Sequence, residues 1–466
     1  MISIRRLAIL TACTFAAGCT PSSDGPPSGA HGAGTLFQGA RVILGDGGVV
    51  EPGAILVQGD RIVAVGPAGA VDAPEGVTTV DLTGKTVIPA LIDAHAHIGY
   101  EGYTQWGADS YTRENLIEHL ERYAYYGFGA VFSAGSDPDD FALGLRGEQE
   151  AGTLGGARFL FAAGMAPPGQ GPNNQFLAHT VTVAERTGMT VLRGIGTEAD
   201  ARAAVAEVAS KGIHFVKIWV DDRGGSQQKL APELYRAVIS EARTRGLEVV
   251  VHQQSTDDMP GLLDAGAAGF LHGRLGPSLD AALARQIHDA GAFLVPNLGL
   301  GELRREPVAD DSFLQETVRA DVVARLGAAF DARPASANGG ADAEAALRAS
   351  MADLLAADVD VVLGTDAGAV PDHFFGYTGH RELEIFVRLG MTPMQALVAA
   401  TSLPAARLGL TDLGLLSPGR SADFVVLDAN PLDDIRNTRS ISAVYLRGVA
   451  VDRETMRTRW TSGGSN

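Results

Sequence analysis

Eight apolar, strand-like runs separated by helical stretches predict an α/β architecture. A (β/α)8 TIM barrel accommodates them better than an open doubly wound sheet. Two β-rich chain ends flank that middle and predict one small β domain assembled from both termini, because neither half buries its faces alone. The composition fits a large globular chain: of 466 residues, 45% are hydrophobic and 20% charged. That is too apolar for a disordered chain, and no internal run of about 20 apolar residues is present for a membrane helix. A formal charge of −18 argues against nucleic acid or an anionic membrane surface as the main partner.

The amino terminus reads as an address. Arg5 and Arg6 precede an uncharged run, residues 7–17, which leads into Gly18 and Cys19. A basic head, a short apolar segment and small residues before a cut form a secretory signal, here residues 1–18. The run is too short for a permanent span. A cysteine directly after the small residues resembles the bacterial lipoprotein box, which implies that Cys19 is acylated; ordinary signal cleavage nearby is the alternative. Cys13 and Cys19 are the only cysteines, so the processed chain keeps one, the lipidated one, and needs no disulfide. Loss of Arg5 and Arg6 takes the side-chain charge from −18 to −20. Residues 19–34, rich in Gly, Pro and Ser, suit a flexible tether. The expectation is an exported, membrane-anchored lipoprotein facing the periplasm or the cell exterior, touching the membrane only through its lipid.

Residues 35–86 form the first part of the β domain. Residues 55–58, Gly59-Asp60 and residues 61–65 read as a hairpin with a two-residue turn. Residues 413–460 supply the second part, with strand-like runs at 422–427, 443–446 and 448–451. Between them, residues 87–412 carry the barrel. Its strands are expected at 87–97, 130–134, 159–163, 215–220, 248–252, 269–272, 293–296 and 359–364, with helices between most of them, among them 200–211, 232–245 and 278–289. No Gly-x-Gly-x-x-Gly with an acidic partner follows a strand, which removes support for a dinucleotide site. Residues 304–345 read as an insertion of loop and helix before the last strand.

Chemistry collects at the strand ends. His95 and His97 are two apart, so a strand presents both on one side, where they can grip one metal ion; a pair of satisfied histidines near a loop is the bland reading. Lys217 lies mid-strand, where a charge needs a reason. It is either a barrel lysine in a salt bridge or, pushed towards neutral beside metal ions, an amine that adds carbon dioxide to become a carbamate able to bridge two cations. His252 and His272 end the fifth and sixth runs, and Asp366 follows the eighth. Each alone is ambiguous. Six ligand-type residues at the ends of strands one, four, five, six and eight are hard to explain by accident, since a barrel brings those ends to one mouth.

Together these residues resemble the amidohydrolase superfamily. The matching elements are Asp93-Ala94-His95-Ala96-His97, Lys217, His252, His272 and Gly364-Thr365-Asp366-Ala367, followed by His380-Arg381-Glu382-Leu383-Glu384 and Gly419-Arg420-Ser421-Ala422-Asp423. The resemblance covers roughly residues 35–452. It implies a barrel with a β-sandwich side domain and a site for two divalent ions, zinc by the chemistry of the donors, with manganese and iron as the alternatives. It implies His95, His97 and Asp366 on the first ion, His252 and His272 on the second, and an N6-carboxylated Lys217 bridging them. One departure stands out: relatives often follow the fifth-strand histidine with Ala and an aromatic or polar residue that shapes the substrate pocket, whereas this chain has Gln253-Gln254-Ser255.

The implied reaction is hydrolysis of an amide, peptide-like or related C–N bond in a small molecule. Two ions give +4, and a carbamate, an aspartate and a bridging hydroxide give −3. The remaining positive charge holds hydroxide at neutral pH and stabilises the oxyanion formed at a carbonyl. Asp366 is the candidate proton shuttle to the leaving amine. Tyr100, Tyr103, His373 and Tyr377, in the loops after strands one and eight, are candidates to bind substrate, with lid packing as the equal alternative. His179, His373 and His380 are close enough in sequence to lie behind the ligands, while His119 and His288 are expected on helix surfaces. Two rival functions remain: ester, lactone or phosphotriester hydrolysis at the same centre, and a catalytically inactive surface lipoprotein that binds a ligand. The complete set of six ligand-type residues weighs against the second. Oligomeric state is left open.

Overall fold

The computed structural model describes residues 34–273, 275–302, 307–332 and 341–462. The signal, the tether and the lipidation candidate Cys19 lie outside the described residues. From the amino-terminal side, β1 (Thr35–Ile43), β2 (Val49–Gln58), β3 (Arg61–Pro67), β4 (Thr78–Asp81) and β5 (Thr86–Pro89) build half of the side domain. β2 and β3 form the expected hairpin, with Gln58 paired to Arg61 across Gly59-Asp60. β1 runs antiparallel to β2 and parallel to β4 and β5.

The barrel follows: β6 (Leu91–Ala96), β7 (Phe128–Ser133), β8 (Arg158–Ala166) with a short β9 (Leu192–Gly194) on its flank, β10 (Phe215–Val220), β11 (Glu248–Gln253), β12 (Gly269–Leu271), β13 (Phe293–Val295) and β14 (Asp360–Val361). Their order is β6-β7-β8-β10-β11-β12-β13-β14, all parallel. The ring closes where the chain after β14 meets β6: the His97 amide donates to the Ala367 carbonyl at 2.8 Å, Ala94 to Leu363 at 3.0 Å, and Thr365 to His95 at 3.0 Å. This close approach needs Gly364, because a Cβ there would stand 2.5 Å from Val295 Cγ1 and 2.9 Å from the His95 backbone nitrogen. Alternate residues fill the interior, among them Ile92, Phe132, Phe215, Val250, Leu271, Phe293 and Val362, while their neighbours Val216, Ile218, Val249, Val251 and Leu294 pack outward under the helices.

At the carboxyl end, β15 (Phe424–Leu427), β16 (Ile441–Leu446) and β17 (Val449–Ala450) complete the side sheet, β15 pairing antiparallel with β5. Phe37 on β1 meets Tyr445 on β16 with ring centroids 4.9 Å apart, although two strands lie between them in the sheet. Three strand spacings in a flat sheet span about 14 Å, so the sheet folds over its own core. Phe424 fills that core against both rings.

Two expectations need correction. Residues 87–97 are not one barrel strand: Thr86–Pro89 belongs to the side sheet and Leu91–Ala96 opens the barrel, with Ala90 alone between them. An unbroken apolar run carries no periodicity to mark that handover. His119 is fully buried rather than on a helix surface. It accepts from the Gly99 amide and contacts the Glu101 carbonyl, so it fixes the loop after β6. The insertion is helix and loop, as expected, with helices Ser312–Gln315, Ala320–Asp331 and Ala341–Ala356 among the described residues.

Candidate metal centre

The six ligand-type residues come together, Lys217 from the middle of β10 and the other five from the carboxyl ends of their strands or just beyond, by two different backbone routes. Lys217 and His252 follow the inward phase of Phe215 and Val250, so plain alternation delivers them to the interior. His95 and His97 do not. Ile92 and Ala94 already face inward, and strict alternation would turn both histidines out. The β6–β7 register shifts between Asp93 and Ala96, and that irregularity re-aims the imidazoles. His272 follows the inward Leu271 and is turned in by a left-handed φ of 69°. Asp366 (φ 60°) and Asn297 (φ 50°) are left-handed too. Such backbone is costly for residues other than Gly and concentrates where geometry matters.

Asp366 is the hub. Its Oδ1 lies 3.3 Å from His95 Nε2 and 3.2 Å from His97 Nε2, and its Oδ2 lies 3.4 Å from His272 Nε2. Ring centroids of His95 and His272 are 4.8 Å apart, and those of His252 and His272 are 4.6 Å apart. Lys217 reaches the same cluster, where its charge acts on all four imidazoles. Gly135 lets the loop after β7 close on it, since a Cβ there would sit 2.8 Å from Lys217 Cβ.

The hydrogen bonds behind the ligands reveal which atoms are lone pairs. Asn297 Oδ1 receives the His272 amide at 3.1 Å, which marks that atom as an acceptor. His95 Nδ1, 2.9 Å from the same oxygen, must therefore carry a proton. His95 Nε2 then presents a lone pair to the Asp366 carboxylate, and neither that nitrogen nor Asp366 Oδ1 has a hydrogen-bond partner. Two buried acceptors facing each other at 3.3 Å call for a cation between them. The spacing suits one, because two ligands at zinc-like bond lengths in a tetrahedral arrangement stand about 3.4 Å apart. The residues present fit a metal.

Burial depresses the pKa of His95, His97, His252 and His272, so the imidazoles are neutral, as ligands must be. Burial also brings the Lys217 ammonium down to about 7; Asp366 opposes that fall and Arg223 adds to it. A lysine so placed is substantially a free amine at neutral pH.

Three supporting residues escaped sequence reasoning, and a fourth, Asp93, was singled out only as part of its motif. Asp93 is fully buried and accepts from Tyr123 Oη, Thr365 Oγ1 and the amides of His95 and Thr365, tying β6 to the chain after β14. Ser136 Oγ holds His97 Nδ1 at 2.7 Å. Asn297 holds His95, and Asp221 stands 3.2 Å from His252 Nε2. All but Asp93 occupy the first few positions after a barrel strand, which was the available signal.

The four substrate-binding candidates all lie in packed surroundings. Tyr100 is fully buried and its hydroxyl donates to the Ser136 carbonyl. Tyr103 stacks on Phe374 and lies under the Arg122 guanidinium. Tyr377 donates to Asp311 and packs among Tyr126 and Phe313. These rings take part in building the outer layer. His373 is wholly buried, and burial holds its pKa at about 4, leaving it a neutral wall residue near Asp366. His179 accepts from the Ala108 amide and braces Trp106, and His380 packs against Tyr126 and Phe313. Neither lies behind the ligands. His288 is exposed, as expected. Of the cluster, His272 is the most open, its side chain 15% exposed, and it marks the side facing the mouth.

Comparison with known proteins places this architecture. The profile described as "Amidohydrolase family" matches residues 86–451. An imidazolonepropionase from Streptomyces griseus subsp. griseus is 27% identical over 402 residues, covering 83% of this chain and 89% of that one. A prolidase solved in complex with N-methylphosphonate-L-proline superposes with a TM-score of 0.67 at 26% identity, covering 89% of this chain and 98% of the other. Phenylurea hydrolase B, at 24% identity and a TM-score of 0.70, shares the fold over 91% of this chain and 98% of its own.

Proposed function

The chain belongs to the amidohydrolase family, and from that premise we propose that it hydrolyses an amide or peptide-like C–N bond in a small molecule at a two-ion centre. That it is a hydrolase of C–N bonds goes with the family; the rest is the present reading. The observation that carries it is the pair of facing lone pairs, His95 Nε2 and Asp366 Oδ1. His95, His97 and Asp366 would hold the first ion, His252 and His272 the second, and Lys217, as its carbamate, both. Zinc suits these donors. When bound, the ions supply Lewis acidity and lower the pKa of an attacking water.

The chain's own residues do the rest. Lys217, with its pKa near 7, is the amine that captures carbon dioxide. Asp366, facing three imidazoles, takes the proton of the water and delivers it to the departing nitrogen. Asn297 and Ser136 keep His95 and His97 turned to the centre while it does so. The same reading has the protein exported under its residue 1–18 signal and held to a membrane by a lipid on Cys19; intact mass after globomycin treatment of expressing cells tests that point.

Metal content per chain, on protein prepared with zinc and bicarbonate, tests the centre. Two ions in the wild type, with loss of at least one in Lys217→Ala, is the expected result, together with turnover on an amide panel exceeding that on matched esters. One ion or none in the wild type sinks the two-ion reading. Normal turnover in Asp366→Asn sinks the shuttle.

A further inference from the structure

His252 differs from its neighbours in which ring nitrogen is engaged. In His95 and His97 it is Nδ1 that an outer partner holds, leaving Nε2 to face Asp366. In His252 it is Nε2, 3.2 Å from Asp221 Oδ2. That carboxylate is 4% exposed and is shared: Oδ1 accepts the Arg223 amide at 2.9 Å, and Oδ2 lies 2.9 Å from Arg223 Nη1. A carboxylate paired with a guanidinium has only lone pairs to offer, so the proton between it and His252 sits on Nε2. Nδ1 is then the one nitrogen of His252 able to bind an ion.

The backbone is built to keep this arrangement. Asp221 and Arg223 follow β10 directly, and Arg223 has a left-handed φ of 52°, which returns its guanidinium onto the residue two before it. Asp221 thus reaches His252 from the adjacent strand, β10 lying beside β11 with Val220 paired to Gln253. The pair touches no other imidazole of the cluster by any hydrogen bond among the described residues.

We infer that Asp221, held by Arg223, is a positioning residue for His252: it fixes the Nε2–H form, presents Nδ1 to the second ion, and sets the affinity of that ion separately from the first. The inference rests on the two-ion reading above. Carboxylates behind metal-binding histidines orient the ring and raise its basicity, and their removal costs about 10- to 100-fold in metal affinity. Here the effect falls on one site of two. Arg223 neutralises the carboxylate, so the hydrogen bond is gained without a net negative charge beside the centre.

The test is zinc titration of the full enzyme against a chromophoric chelator, for wild type, Asp221→Asn and Asp221→Ala, with long-range 1H–15N spectra of the zinc-loaded wild type. The expected result is a second ion weakened about 10- to 100-fold in Asp221→Ala and less in Asp221→Asn. The first ion should be unchanged, and His252 should be zinc-bound at Nδ1 and protonated at Nε2. Equal weakening of both ions, no weakening of either, or zinc at His252 Nε2 overturns the inference. Wild type with fewer than two ions overturns the two-ion reading and this inference with it; two ions in the wild type and no change in Asp221→Ala overturns this inference alone.

Discussion

Asn297 shows how much a single side chain can hold. One oxygen accepts from His95 Nδ1 and from the His272 amide, so it sets the tautomer of one ligand and the backbone turn of another. Asn297→Leu keeps the volume and removes the acceptor. Metal affinity should fall about 10- to 100-fold, read by chelator competition, while the melting temperature of metal-stripped protein changes far less. An unchanged affinity would mean that β6 and the turn at His272 aim their imidazoles unaided. At this scale the sequence was most legible for the ligand-type residues, which the fold does bring together, and least for their supports. A histidine or lysine at a strand end is conspicuous by residue type. An asparagine, serine or aspartate one to three residues past a strand looks like any turn residue, and only the folded chain shows what it touches. The mouth aromatics were ambiguous for the opposite reason: Tyr103 and Tyr377 are conspicuous in sequence whether they line a subsite or pack a lid, and in the fold their rings pack.

Among elements, the loops after β6 and β14 are tied by a buried carboxylate. Glu101 accepts the Tyr103 amide at 2.6 Å and the Asp372 amide at 2.8 Å. Burial outweighs these two donors and raises its pKa from 4.5 to about 7. The sign follows from linkage: the folded carboxyl holds its proton more tightly than the unfolded one, so the folded state binds more protons between those values. Its contribution to stability is therefore greatest at the acid end of the window and is lost as pH rises through about 7. Urea unfolding of metal-stripped protein at pH 5.5 and 7.5 should show a smaller difference in Glu101→Gln than in wild type; equal differences would place the titration elsewhere. Most strands and the β2–β3 hairpin were legible, because alternation and a Gly-Asp turn are local signals. The β5–β6 division was not, because strand direction changes sheets within a run of apolar residues. The register shift in β6 was invisible for the same reason, although the His-x-His spacing had already placed both rings on one side.

For the molecule as a whole, the side domain and the barrel share a strand path through Ala90, so their stabilities are coupled. Phe424, wholly buried between Phe37 and Tyr445, tests that coupling at a distance from the chemistry. Phe424→Ala should cost about 3–5 kcal/mol in urea unfolding, in one transition seen alike by side-domain and barrel probes, with turnover at low temperature preserved. Two separated transitions would show that the bodies unfold independently.

The seating of β5 between β1 and β15 also sets a schedule for synthesis. The first half of the side sheet leaves the ribosome more than 300 residues before the strand that covers it, since Pro89 and Phe424 are 335 positions apart. Until then Phe37, Ile55 and Val87 have no lid, and a product truncated anywhere in the barrel keeps them exposed. The strands β15 and β16 thus act as a late checkpoint: a nascent chain hides that apolar surface only once they have been made.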